Sequence, residues 1–403
     1  MSNGEINMPV QFHIQPAKRL GRLPSQFFAK LTQQAARRIA MGHDVINLGQ
    51  GNPDLPTPSH IVSALQEAIE DPSTHRYSPF RGIPELREAI CAHYAREYGV
   101  DLDPEQEVAI LFGGKAGLVE ISQCLLEPGD IALVPDPGYP DYWSGIALAG
   151  AQMEVMPLLE DHQFLPDFYE IPKDVRRAAK LMFLNYPNNP TGATANEEFF
   201  QSAVAFAKES ELVIAHDFAY GAIGFLDRPI SFLQIAGAKD VGVEFYTLSK
   251  SYNMAGWRVG FVLGNARVIS MINELQDHLF VSLFPAVQRA AIVALNGDQS
   301  CVKQLVQTYA KRQQALLAPL DDMGYSVKQS KGSFFVWMKT PQGISSEQFS
   351  TFLLEHYDVV VAPGIGFGAR GEGYVRIALL ETEQRLREAG SRIARALNEL
   401  KAL

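Results

Sequence analysis

The 403-residue chain contains little cysteine and no spacing of cysteine and histidine that indicates a bound metal. Its three cysteines, Cys91, Cys124 and Cys301, are odd in number and widely separated. This pattern argues against a disulfide framework and against a zinc site. The nine histidines show neither H-x-x-x-H nor H-x-x-E-H spacing, so we expect no metal site.

Long apolar runs and an excess of positive charge are also missing. No apolar run approaches the roughly 18 residues of a membrane span, and residues 1–20 lack the apolar core of a secretory signal. Lys and Arg number 35 against 45 Asp and Glu, which gives a formal net charge of −10. Since an acidic chain without a basic run is poorly suited to phosphate contacts, we expect a soluble cytoplasmic protein without nucleic-acid or membrane partners.

The composition that remains is typical of a globular protein of two or three domains, with 47% hydrophobic and 20% charged residues. Short apolar runs alternate with amphipathic stretches, such as 84–98 and 196–208, between about residues 46 and 265. Six of these runs are typical of buried strands: 108–112, 131–134, 181–185, 212–216, 245–248 and 259–263. Continuous apolar strands bridged by helices predict an α/β fold with a mostly parallel sheet covered on both faces.

The pattern changes towards the carboxyl terminus. Helical periodicity dominates the segments 268–278, 286–295, 301–317, 346–356 and 382–400, whereas the segments 333–338, 359–362 and 374–377 are typical of strands. A further helix is predicted at 25–41. We therefore expect three parts of the chain: an N-terminal arm and helix at 1–45, a large domain at 46–295 and a small α+β domain at 296–403.

Residues 247–260, TLSKSYNMAGWRVG, form the most informative motif and follow a predicted strand. A lysine at a strand end, here Lys250, can serve as an amine nucleophile. Thr247, Ser249 and Arg258 together suit a phosphate monoester, because charged hydrogen bonds are strong. The alternative at this point is an ordinary surface loop with a solvated lysine.

Two further motifs also follow predicted strands. Asp217, in His-Asp-Phe-Ala-Tyr220, occupies the usual ligand position at the end of a strand of an α/β sheet. Its carboxylate could hold a protonated heterocyclic nitrogen. Tyr220, three residues later, could donate a hydrogen bond to a phenolic oxygen. The alternative is that Asp217 caps a following helix. Residues 185–192, NYPNNPTG, are predicted to form a rigid loop that presents amide groups to a ligand; the alternative is an ordinary tight turn. Thr191 or Asn196 could cap the next helix.

Glycine-rich segments complete the set. Residues 113–117, GGKAG, lie between a predicted strand and a predicted helix, which is the arrangement that binds an anion at a helix N-terminus. This segment does not match the Walker pattern of ATPases. Residues 364–369 nominally match G-x-G-x-x-G/A, but a strand follows them, so we do not expect a dinucleotide site there.

These four motifs, in this order, resemble those of the class I and II aminotransferases, which are pyridoxal-phosphate enzymes of fold type I. The resemblance runs from about residue 20 to residue 397. It implies that the large domain at 46–295 has a mostly parallel seven-stranded sheet and binds the cofactor, and that the arm and helix at 1–45 belong to the smaller α+β domain and gate the substrate. It also implies a homodimer with active sites at the subunit interface. The implied activity is ping-pong transfer of an amino group between an amino acid and a 2-oxo acid.

The resemblance also implies roles for single residues. The catalytic residues would be Lys250, which would bind pyridoxal 5'-phosphate covalently and carry a proton, Asp217 at the ring nitrogen, and Tyr139 stacked on the ring. The other cofactor-binding residues would contact the ring hydroxyl (Tyr220 and Asn189), the phosphate (Gly114, Lys115, Thr247, Ser249 and Arg258) or the phosphate of the neighbouring subunit (Tyr77). The substrate carboxylate would be bound by Arg376, with Asn189 and Gly51 beside it.

The side-chain preference is read from residues 275–284, LQDHLFVSLF. One subgroup of aspartate enzymes uses a partner-subunit arginine just before the position matching Ser282, and this stretch contains none. Its apolar residues suit an uncharged side chain, although Lys115 could still meet a distal carboxylate. Residues 113–120 and 277–284 resemble the methionine-salvage aminotransferases of bacilli, so we predict amination of 4-methylthio-2-oxobutanoate to methionine with a broad choice of donors.

Three alternatives remain. Leu23-Pro24 and Phe27-Phe28 resemble the entry segment of LL-diaminopimelate aminotransferases, although 113–120 departs from that group, and an aspartate or aromatic aminotransferase is the related possibility. A pyridoxal-phosphate β-lyase would need no 2-oxo-acid acceptor. A non-catalytic regulator is disfavoured, because the set of site residues is complete.

Overall fold

The computed structural model describes residues 14–24 and 27–402, with the side chains of 14–24 and 31–402. Part of the predicted N-terminal arm, and the side chains of Phe27-Phe28, therefore lie outside the described residues. The helices are α1 Phe27–Ala40, α2 Ser59–Glu70, α3 Pro84–Tyr98, α4 Gly114–Leu125, α5 Asp141–Ala149, α6 Lys173–Ala178, α7 Glu197–Ser210, α8 Ala238–Val241, α9 Leu248–Ser251, α10 Ala266–Leu279, α11 Pro285–Asn296, α12 Ser300–Asp322, α13 Ser346–Tyr357 and α14 Glu383–Ala402. The strands are β1 Ile46–Asn47, β2 Val108–Leu111, β3 Ile131–Asp136, β4 Gln152–Pro157, β5 Ala179–Asn185, β6 Val213–Asp217, β7 Gly242–Thr247, β8 Gly260–Gly264, β9 Phe335–Lys339, β10 Val359–Val360, β11 Ala362–Pro363 and β12 Tyr374–Ala378.

A seven-stranded sheet in the order β2-β8-β7-β6-β5-β3-β4 organises the first core. Only β8 runs antiparallel to its neighbours in this sheet, so the predicted mostly parallel α/β fold is confirmed. Alternate residues of β5 serve different faces: Leu181 and Phe183 pack in one cluster, and Met182 and Leu184 pack in another. Burial on both faces explains why these strands appear in the sequence as continuous apolar runs.

The six predicted strands of this sheet lie within a few residues of those observed, but β4 was not predicted. Its first four residues are exposed, and its sequence QMEVMP contains no continuous apolar run. An edge strand that buries little side-chain surface gives no hydrophobic pattern to detect.

Helix ends follow local capping chemistry. Asn196 precedes α7, and its side chain accepts a hydrogen bond of 3.0 Å from the backbone N–H of Phe199. Of the two caps predicted for this helix, Thr191 or Asn196, it is therefore Asn196 that caps it. Pro84 opens α3, and Gly99 ends it with a φ of 65°, a conformation that glycine adopts without strain.

A second core contains the antiparallel strands β11-β12-β9 and the packed helices α12 and α14. Parallel pairing of β1 with β10 brings Ile46 and Leu48 into this core. The single strand predicted at 359–362 is wrong: β10 and β11 belong to different sheets. The division of the chain at residues 45 and 295 stays a prediction.

The parallel strands β2, β3, β5, β6 and β7 all end at one edge of the large sheet, and the antiparallel β8 begins there. Ligands of α/β proteins bind outside the carboxyl ends of parallel strands. Within the described ranges, each helix is too short or too polar to cross a bilayer.

Candidate active site

A cavity of about 590 Å³ lies at this edge of the sheet, where the second core covers it. It is lined by all the predicted site residues except one: Gly51, Gly114, Lys115, Tyr139, Asn189, Asp217, Tyr220, Thr247, Ser249, Lys250, Arg258 and Arg376. The exception is Tyr77, whose side chain lies on the surface and is 91% exposed. Most of these lining residues lie at or just after the ends of five strands, β2, β3, β5, β6 and β7. Their roles stay predictions.

Lys250 lies in the one-turn helix α9 rather than in the expected loop, because Thr247 caps that turn. Its Nζ donates a 3.0 Å hydrogen bond to the carbonyl of Gly51 and lies 5.5 Å from the centre of the Phe334 ring. Burial and, after it, the nearby Arg376 guanidinium lower the pKa of Lys250 to about 8, since both disfavour the ammonium form. The side chain therefore carries a reactive fraction of neutral amine near neutral pH.

Asp217 ends β6 and is 6% exposed. Its carboxylate accepts hydrogen bonds from the hydroxyl of Tyr142 at 2.8 Å and from the backbone of Ala219 at 3.2 Å. Burial raises the pKa of Asp217, and the hydrogen bond from Tyr142 acts in the opposite direction by favouring the ionised form. In the described chain, turns follow Asp217 directly and the next helical turn begins only at Phe232, so the alternative role as a helix cap is wrong.

A buried network supports the strand that carries Asp217. His216 Nε2 accepts from the backbone N–H of Tyr186 at 3.3 Å, so the proton of a neutral ring resides on Nδ1, which lies 2.8 Å from Glu244. Glu244 also accepts from Ser231 and Tyr94. Each acceptor of this buried carboxylate is thus matched to a donor, which holds β6 and β7 in register.

Arg376 lies on β12 and is 6% exposed. Its Nη1 donates to Asn189 Oδ1 at 2.9 Å and its Nη2 to the carbonyl of Gly49 at 3.1 Å. The guanidinium carbon lies 4.1 Å from the ring centre of Phe335 and 4.6 Å from that of Phe367. Burial lowers the pKa of Arg376 to about 10, which leaves it charged at neutral pH. Its hydrogen bonds and ring contacts fix the plane of the guanidinium, whose paired N–H groups suit a carboxylate.

The loop 185–192 is rigid because its own amides hold it together. Asn185 accepts from the backbone of Asn189 at 2.8 Å and donates to the carbonyl of Asp217 at 2.8 Å. Asn188 accepts from both the backbone and the hydroxyl of Thr191. This loop therefore sets the position of Asn189 relative to Asp217.

At the opposite end of the cavity, α4 points its N-terminus at Arg258. Gly113 has a φ of 79°, and a Cβ on it would lie 2.3 Å from Arg258 Nη2. A Cβ on Gly260 would similarly lie 2.8 Å from the backbone nitrogen of Gly114. Two glycines therefore let the helix N-terminus and a guanidinium approach one another closely, and the hydroxyls of Thr247 and Ser249 line the same cavity. This arrangement can bind a phosphate group.

Lys115 is held at the rim of the cavity by an ion pair of 2.8 Å with Asp141, the first residue of α5. Its side chain remains 56% exposed. The Lys115 charge thus has an intramolecular partner. Burial, followed by Asp141, raises the pKa of Tyr139 well above its usual range, so its ring enters the site as a neutral phenol.

Sequence reasoning missed Tyr142, Phe335 and Phe367. A signal for Tyr142 was available, because Tyr139 and Tyr142 are three residues apart around the start of a helix and can share a face. The glycines at 364–368 form a 3-10 turn, Gly364–Phe367, and not a dinucleotide loop. That turn carries Phe367 to Arg376.

Comparisons with known proteins agree with this geometry. A sequence model of aminotransferase class I and II matches residues 43–393. The chain is 59% identical to the L-glutamine–4-(methylsulfanyl)-2-oxobutanoate aminotransferase of Bacillus subtilis, over 93% of this chain and 95% of that protein. It is 46% identical to an LL-diaminopimelate aminotransferase of Syntrophobacter fumaroxidans, over 94% of this chain and 97% of that protein.

Among solved structures, substrate-bound BacF from Bacillus subtilis superimposes with a TM-score of 0.92 at 49% identity, covering 95% of this chain and 98% of BacF. The predicted family resemblance is thereby confirmed. The chain belongs to the class I and II aminotransferases and is an aminotransferase.

Proposed function

We propose that the protein catalyses pyridoxal-phosphate-dependent transfer of an amino group between an amino acid and a 2-oxo acid. The observation that carries the proposal is that Lys250, Asp217 and Arg376 line one cavity together with Gly114, the first residue of α4. An amine, a buried carboxylate, a guanidinium fork and an anion-binding helix end are the groups that this reaction needs.

The donors around α4 suit a phosphate monoester, because the missing Cβ of Gly113 leaves room for the Arg258 guanidinium. When bound, pyridoxal phosphate supplies an electron-withdrawing ring that stabilises negative charge at the substrate Cα. The phosphate-binding groups would be those that surround this helix end: Gly114, Lys115, Thr247, Ser249 and Arg258.

Asp217 would neutralise a protonated ring nitrogen. Its hydrogen bond from Tyr142 favours the ionised carboxylate that this requires. Tyr220 and Asn189 would bind the ring hydroxyl oxygen. Since Asn189 Oδ1 accepts from Arg376, its amide nitrogen is the group that can donate.

Lys250 would provide the amine for covalent attachment and would remove and return the proton at the substrate Cα. A base works best when its pKa lies near the working pH, and burial lowers the pKa of Lys250 to about 8. Tyr139 would pack against the ring face and exclude water from the proton transfer.

Arg376 would bind the α-carboxylate of the substrate with both arms of its fork. Packing between Phe335 and Phe367 shields the guanidinium from water, and this strengthens a charged hydrogen bond. A Cβ on Gly51 would lie 3.3 Å from Phe335, so glycine leaves space for the carboxylate there.

For the substrate, we propose 4-methylthio-2-oxobutanoate, aminated to methionine with a broad choice of donors. The support is the named activity of the Bacillus subtilis relative and the apolar stretch 275–284. Because Lys115 is paired with Asp141, the Lys115 ammonium group is less available to bind a carboxylate at the far end of a substrate side chain. A thioether is recognised by apolar burial, at about 0.8 kcal/mol per methylene, so branched-chain and aromatic acids should compete within one or two orders of magnitude.

We further propose a cytoplasmic homodimer in which Tyr77 reaches the phosphate site of the partner subunit. Tyr77 is 91% exposed in the single chain, and Phe80, Leu279 and Phe284 are 54%, 56% and 44% exposed. Exposed large apolar side chains of this kind are typical of protein interfaces. The three described cysteines are free, which suits a reducing compartment.

The test is kcat/KM across methionine, leucine, phenylalanine, glutamate, aspartate and LL-diaminopimelate, measured by cofactor absorbance in half-reactions. We expect methionine to lead, with leucine and phenylalanine within about a hundredfold. A preference for LL-diaminopimelate, the substrate named for the relative from Syntrophobacter fumaroxidans, or for aspartate would contradict recognition of the side chain by apolar burial. Release of pyruvate and ammonia from cystathionine, whose Cβ–S bond breaks with a thiol as the leaving group, without a 2-oxo acid would indicate a β-lyase.

A further inference from the structure

A second cavity, of about 820 Å³, lies beside the opposite end of the β9–β12 strand pair. Phe335 and Arg376 of these strands line the first cavity, whereas Trp337 and Tyr374, two residues further along the pair, line the second. Nothing in the proposed reaction uses this second cavity. Its volume falls in the range of cavities that bind small molecules.

The walls of the second cavity are aromatic. Phe164, Tyr325, Trp337 and Tyr374 all line it. The rings of Trp337 and Tyr374 are stacked, with centroids 5.1 Å apart and planes 7° apart. Trp337 is only 5% exposed, and within the described part of the chain its Nε1–H has no acceptor. A buried donor without a partner costs free energy, so this N–H is an exception to the usual pairing of buried polar groups.

The charges of the cavity are basic, in a protein whose net charge is −10. Four lysines line it, Lys328, Lys331, Lys339 and Lys401, against the single acid Glu160. Glu160 is already paired with Lys339 at 2.6 Å and accepts from the hydroxyl of Tyr374 at 3.1 Å. The remaining positive charge therefore favours an anion.

We propose that this second cavity is a binding site for a planar aromatic carboxylate. The ring would pack against the aromatic walls, and the carboxylate would bind Lys328 and Lys331 in charged hydrogen bonds. The loop that carries Asn189 forms part of the wall through Thr191 and Gly192, so the site shares a structural element with the active site while using none of its proposed catalytic groups.

The three tryptophans of the chain provide the test. The holoenzyme is labelled with 5-fluorotryptophan and titrated with indole-3-acetate while ¹⁹F NMR is recorded. Trp257 lies between Gly256 and Arg258, which line the first cavity, so its resonance reports binding in the active site. We expect a saturable shift of the Trp337 resonance, whether or not the active site also binds the carboxylate and shifts Trp257. A shift of Trp257 without one of Trp337 would overturn the proposal.

A matched ligand and matched variants distinguish specific from nonspecific binding. Tryptamine has the same ring and a positive charge, and we expect it to bind at least about tenfold more weakly, since loss of one charged contact costs roughly 1.5 kcal/mol or more.

The double variant Lys328→Gln, Lys331→Gln should weaken indole-3-acetate binding by at least about tenfold on the same basis. The control variant Lys303→Gln, Lys311→Gln changes exposed lysines of α12 and should leave this binding unchanged. Equal binding of tryptamine, or unchanged binding by the first variant, would also overturn the site. Transaminase activity is measured separately in both variants and is expected to be unchanged, so this proposal and the proposed function can fail independently.

Discussion

Replacement of Tyr142 by phenylalanine removes one hydroxyl and leaves a ring that is stacked on Phe183, with centroids 4.7 Å apart. The hydroxyl donates to the Asp217 carboxylate at 2.8 Å, in a fully buried position. A hydrogen bond to a charged group contributes about 1.5–3 kcal/mol, and each 1.4 kcal/mol is a factor of ten. The variant should therefore disfavour ionised Asp217 by about 10- to 100-fold relative to the neutral acid.

The direction of the pH effect follows from this loss. Burial already raises the pKa of Asp217, and the Tyr142 hydrogen bond opposes that rise, so the variant raises the pKa further. Since the proposed reaction needs the carboxylate ionised, the acidic limb of kcat/KM should move to higher pH, while the rate on the alkaline side is largely retained. The absorbance of the bound cofactor, titrated over the same pH range, should move in the same direction.

The control is Tyr98→Phe, which removes a buried hydroxyl that donates to the carbonyl of Gly221 at 3.1 Å and not to a carboxylate. It should cost some stability and leave both pH profiles in place. If Tyr142→Phe also leaves the acidic limb and the absorbance titration where they are in the parent enzyme, then Tyr142 does not hold Asp217 ionised and the reasoning fails.

Three further outcomes are expected. The rate at which pyridoxal phosphate attaches to the apoenzyme should rise with pH through about 8, because the pKa of Lys250 is lowered to that value and only the neutral amine reacts. A rate that is flat from pH 7 to 9 would contradict this expectation. The control variant Lys250→Ala should show no attachment. Gly113→Ala should weaken cofactor binding, measured by equilibrium dialysis, because its Cβ would lie 2.3 Å from Arg258 Nη2; Gly99→Ala is the matched control, with a φ of 65° but open space around it. Asp217→Asn should lose far more rate than cofactor affinity, since the phosphate contacts are untouched, and near parental turnover would reduce Asp217 to a structural role.

The sequence predicted the parts of the site that lie at the ends of fully buried strands. Lys250, Asp217 and Asn189 each follow an apolar run, and such runs are visible because both faces of the sheet are covered. The chemistry of these residues then stands out at a known edge of the fold. Recognition of the family motifs supplied Arg376 and Gly51, which no local pattern distinguishes from an ordinary arginine and glycine.

Features that depend on tertiary packing were not predictable. The spacing of Tyr139 and Tyr142 indicates that the two can share a helix face, but only the position of α5 against β6 brings the Tyr142 hydroxyl to Asp217. The pairing of Lys115 with Asp141 joins the first turns of two helices that are separated by a strand. The strand predicted at 359–362 divides between two sheets because Val361 lies between β10 and β11, and short strands carry too few residues for their partners to be inferred.

The ladder pair Thr247 and Gly260, where β7 meets β8, closes the segment that carries both Lys250 and Arg258. The separation of the amine from the phosphate end of the cavity is therefore a local property of one hairpin. Arg376 belongs to the other core, on β12, so its separation from Lys250 changes with every relative displacement of the two cores. The hairpin thus sets one distance within the cavity by local pairing alone, whereas the distance from Lys250 to Arg376 depends on how the two cores pack against each other.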